Sequence, residues 1–226
     1  MEDNTLGIVL KCVISFVFVC VFTFFSSWYK DYYFEKKKKS IKETFILSYK
    51  FMIIWFSICM LFLAVSIFLE EKKGHDYLTL LENQIVWCFV FLIAYIDIRV
   101  KKIPNKLILI LLVIRLLFIF INVFISFEVF WSVFLYSVIG ALAGGMIILI
   151  CALISRGGVG FGDVKMFTVV GLYFGLHGVI AIMMYSLFLA AIYGLFLIIF
   201  KKAKMKSTIA MAPFIFLGLS FHLFIS

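Results

Sequence analysis

The chain has 226 residues, 65% of them hydrophobic, with two prolines, and its mean hydropathy is +1.20. A soluble domain of that length cannot hide so much apolar surface, and a membrane barrel would show strand alternation, which these unbroken apolar runs lack. The net charge of +9 would suggest nucleic acid in a soluble protein, but in a membrane chain Lys and Arg collect in cytoplasmic loops. The fold class is therefore all-α: a polytopic membrane helical bundle whose surroundings are a lipid bilayer, with no nucleic-acid partner expected.

Apolar runs of roughly bilayer-crossing length predict eight spans in chain order, at about 6–29, 45–69, 84–98, 106–125, 129–154, 164–175, 178–200 and 208–225. The first lacks the short basic leader and small-residue cleavage site of a signal peptide, and is expected to be a retained helix. The sixth is short and reads as a partial or tilted crossing. The loop after the first span carries Lys30, Lys36, Lys37, Lys38, Lys39 and Lys42, whereas the second balances Lys72 and Lys73 against Glu70, Glu71, Asp76 and Glu82. Basic residues return in the third loop (Arg99, Lys101, Lys102, Lys106), the fifth (Arg156, Lys165) and the seventh (Lys201, Lys202, Lys204, Lys206), and the fourth and sixth have none. This alternation orients the odd-numbered loops toward the cytoplasm and both termini outside, in a multi-pass protein of the cytoplasmic membrane. The Lys30–Lys42 run is an orientation signal on this reading, with a lipid headgroup site as the alternative.

Two regions are expected: a two-helix membrane segment over 1–83 with a basic cytoplasmic loop, and a six-helix core over 84–226. Cys12, Cys20, Cys59, Cys88 and Cys151 all fall in apolar runs and form no C-x-x-C pair, so they read as small apolar packing residues and no metal site is expected.

Ionisable residues in or at the membrane are costly and are candidates for function. Of the 12 acids, Glu2, Asp3, Asp31, Glu35, Glu43, Glu70, Glu71, Asp76, Glu82 and Glu128 can be solvated, which leaves Asp97 and Asp163. Both lie at the cytoplasmic boundary of the expected topology. Asp97 precedes Ile103-Pro104-Asn105, where Pro104 must end one helix and can open the next. Asp163 follows Gly157, Gly158, Gly160 and Gly162, which permit tight turns and close backbone approach.

Taken alone, Asp163 could be a helix N-cap and Asp97 an interfacial partner of Arg99 or a nearby Lys. Two acids on one side, each beside a backbone breaker, suggest more. Close carboxylates cannot both ionise comfortably, so they share a proton, and one can activate water while the other protonates the scissile group. That is aspartyl protease chemistry, and it needs no cofactor. A dinucleotide fingerprint fails because Lys165 stands where its last Gly would be, and a P-loop fails because Asp163 follows Gly162.

At these residues the chain resembles the type IV prepilin peptidase family of membrane aspartyl proteases, which includes the preflagellin peptidases. The resemblance lies in Asp97 with its basic loop and Ile103-Pro104-Asn105, then Gly160-Phe161-Gly162-Asp163-Val164-Lys165, and more softly in Met211-Ala212-Pro213-Phe214. It covers about residues 84–225. It implies a catalytic pair, Asp97 and Asp163, and an active-site loop or substrate-positioning set of Gly160, Gly162, Lys165, Ile103, Pro104 and Asn105. It also implies a prepilin or pilin-like substrate whose leader is removed at the cytoplasmic face. Long bifunctional members also methylate the new N-terminus through a region with paired C-x-x-C motifs. With no such pair here, a peptidase without methyltransferase activity and without zinc is expected.

Presenilin-like proteases pair G-x-G-D with Y-D and P-A-L, whereas here Ile96 separates Tyr95 from Asp97 and the last span opens on A-P-F. A proton-coupled transporter using both acids as a relay is the alternative from another class, but its site would lie near the midplane within repeated halves. A pilus-assembly scaffold leaves the acids unexplained. Arg115, in the middle of the fourth span, is expected either to pair with polar groups inside the bundle or to snorkel to the surface. His177 and His222 fall on the side away from the acids.

Overall fold

The computed structural model describes residues 2–35, 53–62, 77–125, 127–155, 159–200 and 209–225, all helical apart from short connections. In chain order the helices are α1 (Glu2–Glu35), α2 (Ile53–Phe62), α3 (Tyr77–Val100), α4 (Asn105–Ile125), α5 (Phe127–Ile154), α6 (Phe161–Ile199) and α7 (Ala212–Ile225). Five of them, α1 and α3 to α6, are long and apolar enough to cross a membrane, while α2 and α7 are shorter apolar helices. The Lys36–Lys42 run, Gly157 and Gly158 lie outside the described residues.

The chain divides into two compact units, Met1–Gln84 and Ile85–Ser226. In the first, α1 and α2 meet through aromatic rings: Phe16 against Phe56 at 6.4 Å, edge to face, and Phe22 against Trp55 at 6.0 Å. Hydroxyls on the buried side of α1 bond back to their own helix, Thr23 Oγ1 to the Val19 carbonyl and Ser26 Oγ to the Thr23 carbonyl. Such bonds satisfy polar groups where water is excluded.

In the second unit α6 packs mainly on α5 and α7, with α4 against α5 and α6. α6 is not one rod. A straight helix of its 39 residues would run about 58 Å, nearly twice the thickness of a bilayer core. Gly175 interrupts it with φ 62° and ψ −167°, backbone angles open essentially to glycine alone. The chain folds back there: Gly144 of α5 faces both the Phe167 carbonyl and the Val179 side chain, which a straight helix would hold about 18 Å apart. The two arms cover the residues of the expected sixth and seventh spans.

The α5–α6 contact is built from glycine. A Cβ on Gly140 would collide with the Gly171 carbonyl, and one on Gly171 with the Gly140 carbonyl; Gly144 rests on the Phe167 carbonyl and Gly145 on Thr168 Oγ1. Gly140–Gly144 and Gly171–Gly175 are two G-x-x-x-G pairs lying face to face on antiparallel helices. In lipid there is no hydrophobic drive between helices, so close backbone approach and its dispersion contacts carry the association. α7 closes on the second arm of α6 in the same way, Gly218 against Ser186 and the Ile182 carbonyl. α4 separates its faces at helical spacing: Leu107, Leu111, Arg115 and Ile119 are buried, while Leu109, Val113, Leu117, Phe120 and Phe124 are exposed. Among the cysteines, Cys59 and Cys88 are buried as expected of packing residues, but Cys151 is on the exposed side of α5.

Candidate active site

Four helix termini converge at one end of the second unit: the end of α3 and the starts of α4, α6 and α7. Asp97 stands in the last turn of α3 and is 4% exposed. Its Oδ2 accepts the Ala212 N–H at 3.1 Å, and the Met211 N–H is directed at the same carboxylate. Its backbone is held as well, because the Lys101 N–H donates to the Asp97 carbonyl at 2.7 Å. Lys101 makes that bond with φ 52°, the left-handed conformation that ends a helix and that glycine more commonly supplies.

Past this turn, Pro104 does what its chemistry requires. It is buried, ends the connection, and its carbonyl accepts from the N–H groups of Leu107 (3.1 Å) and Ile108 (3.4 Å) as α4 begins at Asn105. Ile103 lies against the start of α6, where a Cβ on Gly162 would come within 3.2 Å of it. Glycine at 162 is thus what lets α6 sit this close to the I-P-N turn.

Asp163 is not the N-cap of its helix. Gly160 is, in extended backbone (φ −77°, ψ 144°), and α6 starts at Phe161, three residues before the expected boundary. Asp163 is third in the helix, where its Oδ2 reaches back to accept the Gly160 N–H at 3.3 Å. A carboxylate in a first turn complements the helix dipole and satisfies one of the orphan N–H groups. The side chain is half-buried, and it lies close enough to Asp97 for the two charges to interact. Two residues on, the exposed Lys165 donates from Nζ to Asn105 Oδ1 at 3.2 Å, tying the G-x-G-D turn to the I-P-N turn. All eight residues singled out in the sequence therefore sit at one end of the bundle.

Residues 84–195 match the model of the type IV leader peptidase family. Through these residues the chain belongs to that family. A prepilin leader peptidase/N-methyltransferase of Bacillus subtilis (strain 168) is 30% identical over 129 residues, covering 57% of this chain and 49% of that protein. The chain thus spans about half the length of the curated relative it matches. No solved structure matches it significantly.

The sequence reading missed that Met211 and Ala212 meet Asp97; their likeness to a family segment gave the segment weight but no contact. For Arg115 it left pairing inside the bundle and snorkelling open, and the structure shows pairing. Arg115 is 3% exposed and does not snorkel: Nε donates to the Leu172 carbonyl at 2.9 Å, Nη2 donates to Ser137 Oγ at 2.8 Å, and the guanidinium lies 5.3 Å from the Tyr173 ring centre. Near the same break Tyr136 Oη donates to the Phe174 carbonyl at 2.6 Å and Tyr173 Oη to the Leu111 carbonyl at 2.8 Å. A break in a helix frees carbonyls, and inside a membrane protein they need donors. The paired G-x-x-x-G spacing was the signal that could have shown where α6 docks.

Proposed function

We propose that the chain is a membrane aspartyl endopeptidase that removes the leader from type IV prepilin or pilin-like precursors, with Asp97 and Asp163 as its catalytic pair. The observation that carries this reading is the convergence of the two acids, from α3 and α6, within electrostatic range at one end of the bundle. One carboxylate takes a proton from water as the water oxygen attacks the scissile carbonyl carbon. The other acid gives its proton to the carbonyl oxygen, forming a tetrahedral diol. Collapse breaks the C–N bond, the first acid protonates the leaving nitrogen, and the second recovers a proton from the diol. One water is consumed and both acids return to their starting states.

The remaining residues have supporting roles on this reading. Gly160 and Gly162 keep the loop narrow, Ile103 and Pro104 set the entry to α4, and the Lys165–Asn105 bond holds the two turns in register for the substrate. The core is residues 84–226, with 1–83 an accessory segment; the family match beginning at residue 84 and the compact unit beginning at Ile85 support that division. The distribution of Lys and Arg supports eight crossings with the acids facing the cytoplasm. With no C-x-x-C pair in the sequence, we propose that this chain cleaves without methylating.

Co-expression with a prepilin tests the assignment through leader removal. Asp97→Asn and Asp163→Asn should each abolish processing while the protein still accumulates in the membrane. Processing at the wild-type rate by either variant would refute the pair. Acid-dependent solute uptake without cleavage would favour the transporter alternative.

A further inference from the structure

Asp97 receives more support than a carboxylate at a helix end needs. The α7 start gives it the N–H groups of Ala212 and Met211, in a site only 4% exposed, where a hydrogen bond to a charged group is not weakened by water. The next residue, Pro213, has no N–H, so the free donors at this point of the turn are concentrated on the two residues that face Asp97. Met211 opens the helix, its carbonyl accepting from Phe214 (3.0 Å) and Ile215 (3.2 Å), which fixes the peptide plane that carries the Ala212 N–H. Asp163 accepts the Gly160 N–H at a longer 3.3 Å and is half-buried, so water competes for it.

We propose that the Met211–Ala212 turn is a positioning element for the reaction: its N–H pair orients the Asp97 carboxylate and keeps it the resting, water-activating base, leaving the shared proton on Asp163. This rests on the endopeptidase reading above. Donors aimed at a carboxylate favour its charged form, and an oxygen that carries a proton is a poorer acceptor for them. The groups facing Asp97 are the N–H pair from α7 and Asp163 from α6. On its own helix, Arg99 is turned to the Tyr95 ring, 5.7 Å from its centre. The α7 start is thus what makes two similar acids unequal.

The test replaces the Ala212 peptide N–H with an ester oxygen, by incorporating the α-hydroxy analogue of alanine at 212 in the full chain. Leader removal from a purified prepilin is then followed as kcat/KM against pH. Loss of a donor to the charged form raises the pH at which Asp97 takes up a proton. The acid limb of the profile should therefore move to higher pH, by about 1 to 2 units for one hydrogen bond to a charged group. An active ester variant whose acid limb is unmoved, or moves to lower pH, overturns the proposal.

If the ester variant is inactive at every pH or does not fold, infrared titration decides without turnover. Wild type should show a protonated-carboxyl band in mildly acidic buffer that vanishes in Asp163→Asn; absence of the band from wild type, or a band surviving in that variant, which places the proton on Asp97, overturns the proposal. Failure of the endopeptidase reading is seen separately, as equal cleavage by wild type and Asp97→Asn.

Discussion

Asp97 and Arg115 are almost equally buried, at 4% and 3% exposed, and each is met by backbone groups at a helix terminus or break. At one end of the second unit, the opening of α7 offers N–H groups to a carboxylate. Near the Gly175 break, about 15 Å further along α4 from Asn105, a carbonyl of α6 is offered to a guanidinium. The pairing of charge with helix terminus is the same in both, since helix starts present N–H groups and helix ends present carbonyls. What differs is the neighbour. Arg115 is enclosed by Ser137, Tyr173 and a carbonyl, so nothing about it is poised to react. Asp97 has a second acid within electrostatic range, and that acid is half-exposed. One region uses its buried charge to hold the fold, and the other is where charge can move.

The sharpest break in this comparison comes from the acids. Asp97→Asn keeps an oxygen that can accept the Ala212 N–H, so the fold should survive while leader cleavage falls on the order of 10³-fold or more, read as precursor accumulation. Asp163→Asn should lose as much. Next come the glycines that hold the α6 hairpin. Gly171→Leu sets a side chain against the Gly140 carbonyl and should destabilise the protein by about 3 kcal/mol or more, seen as a lower midpoint in detergent thermal denaturation. Its activity loss should track the unfolded fraction, unlike that of the acid variants.

Arg115→Leu probes the other region. It leaves the Leu172 carbonyl without its Arg115 donor and should cost about 1–3 kcal/mol of stability for each buried group left without a partner. The pH profile of the molecules that remain folded should match wild type. A shifted profile would mean that the two regions are coupled, and the comparison would need redrawing. The smallest effect is expected at Lys165→Ala. Loss of its exposed bond to Asn105 should raise KM about 2- to 10-fold with kcat nearly unchanged, in a steady-state cleavage assay.

A large part of this organisation could be read locally. Pro104 both ends one helix and starts another wherever it is placed, and the Gly160–Gly162 spacing marks a tight turn before a helix. Asp97 and Asp163 stood out because the other ten acids had solvent available. The reading erred where the outcome depended on the next residue's hydrogen bond. Asp163 was weighed as a cap, but Gly160 has the extended backbone a cap needs, and Asp163 serves from inside the first turn. The choice for Arg115 between pairing and snorkelling also stayed open, since nothing near it in sequence supplies an acceptor; Leu172 is 57 residues away.

By itself, then, the sequence determined the all-helical membrane class, the positions of its helix breakers and the two acids that no loop could explain. Each of these follows from hydropathy, proline and glycine chemistry, and charge, which act over a few residues. Only the tertiary structure decided which backbone groups those charges meet: Ala212, 115 residues from Asp97, and Leu172 at the break in α6. It also decided that two G-x-x-x-G faces lock α5 to α6. The physical reason is that a buried charge or a freed backbone group must find a partner wherever the fold brings one, and sequence distance does not limit which partner that is.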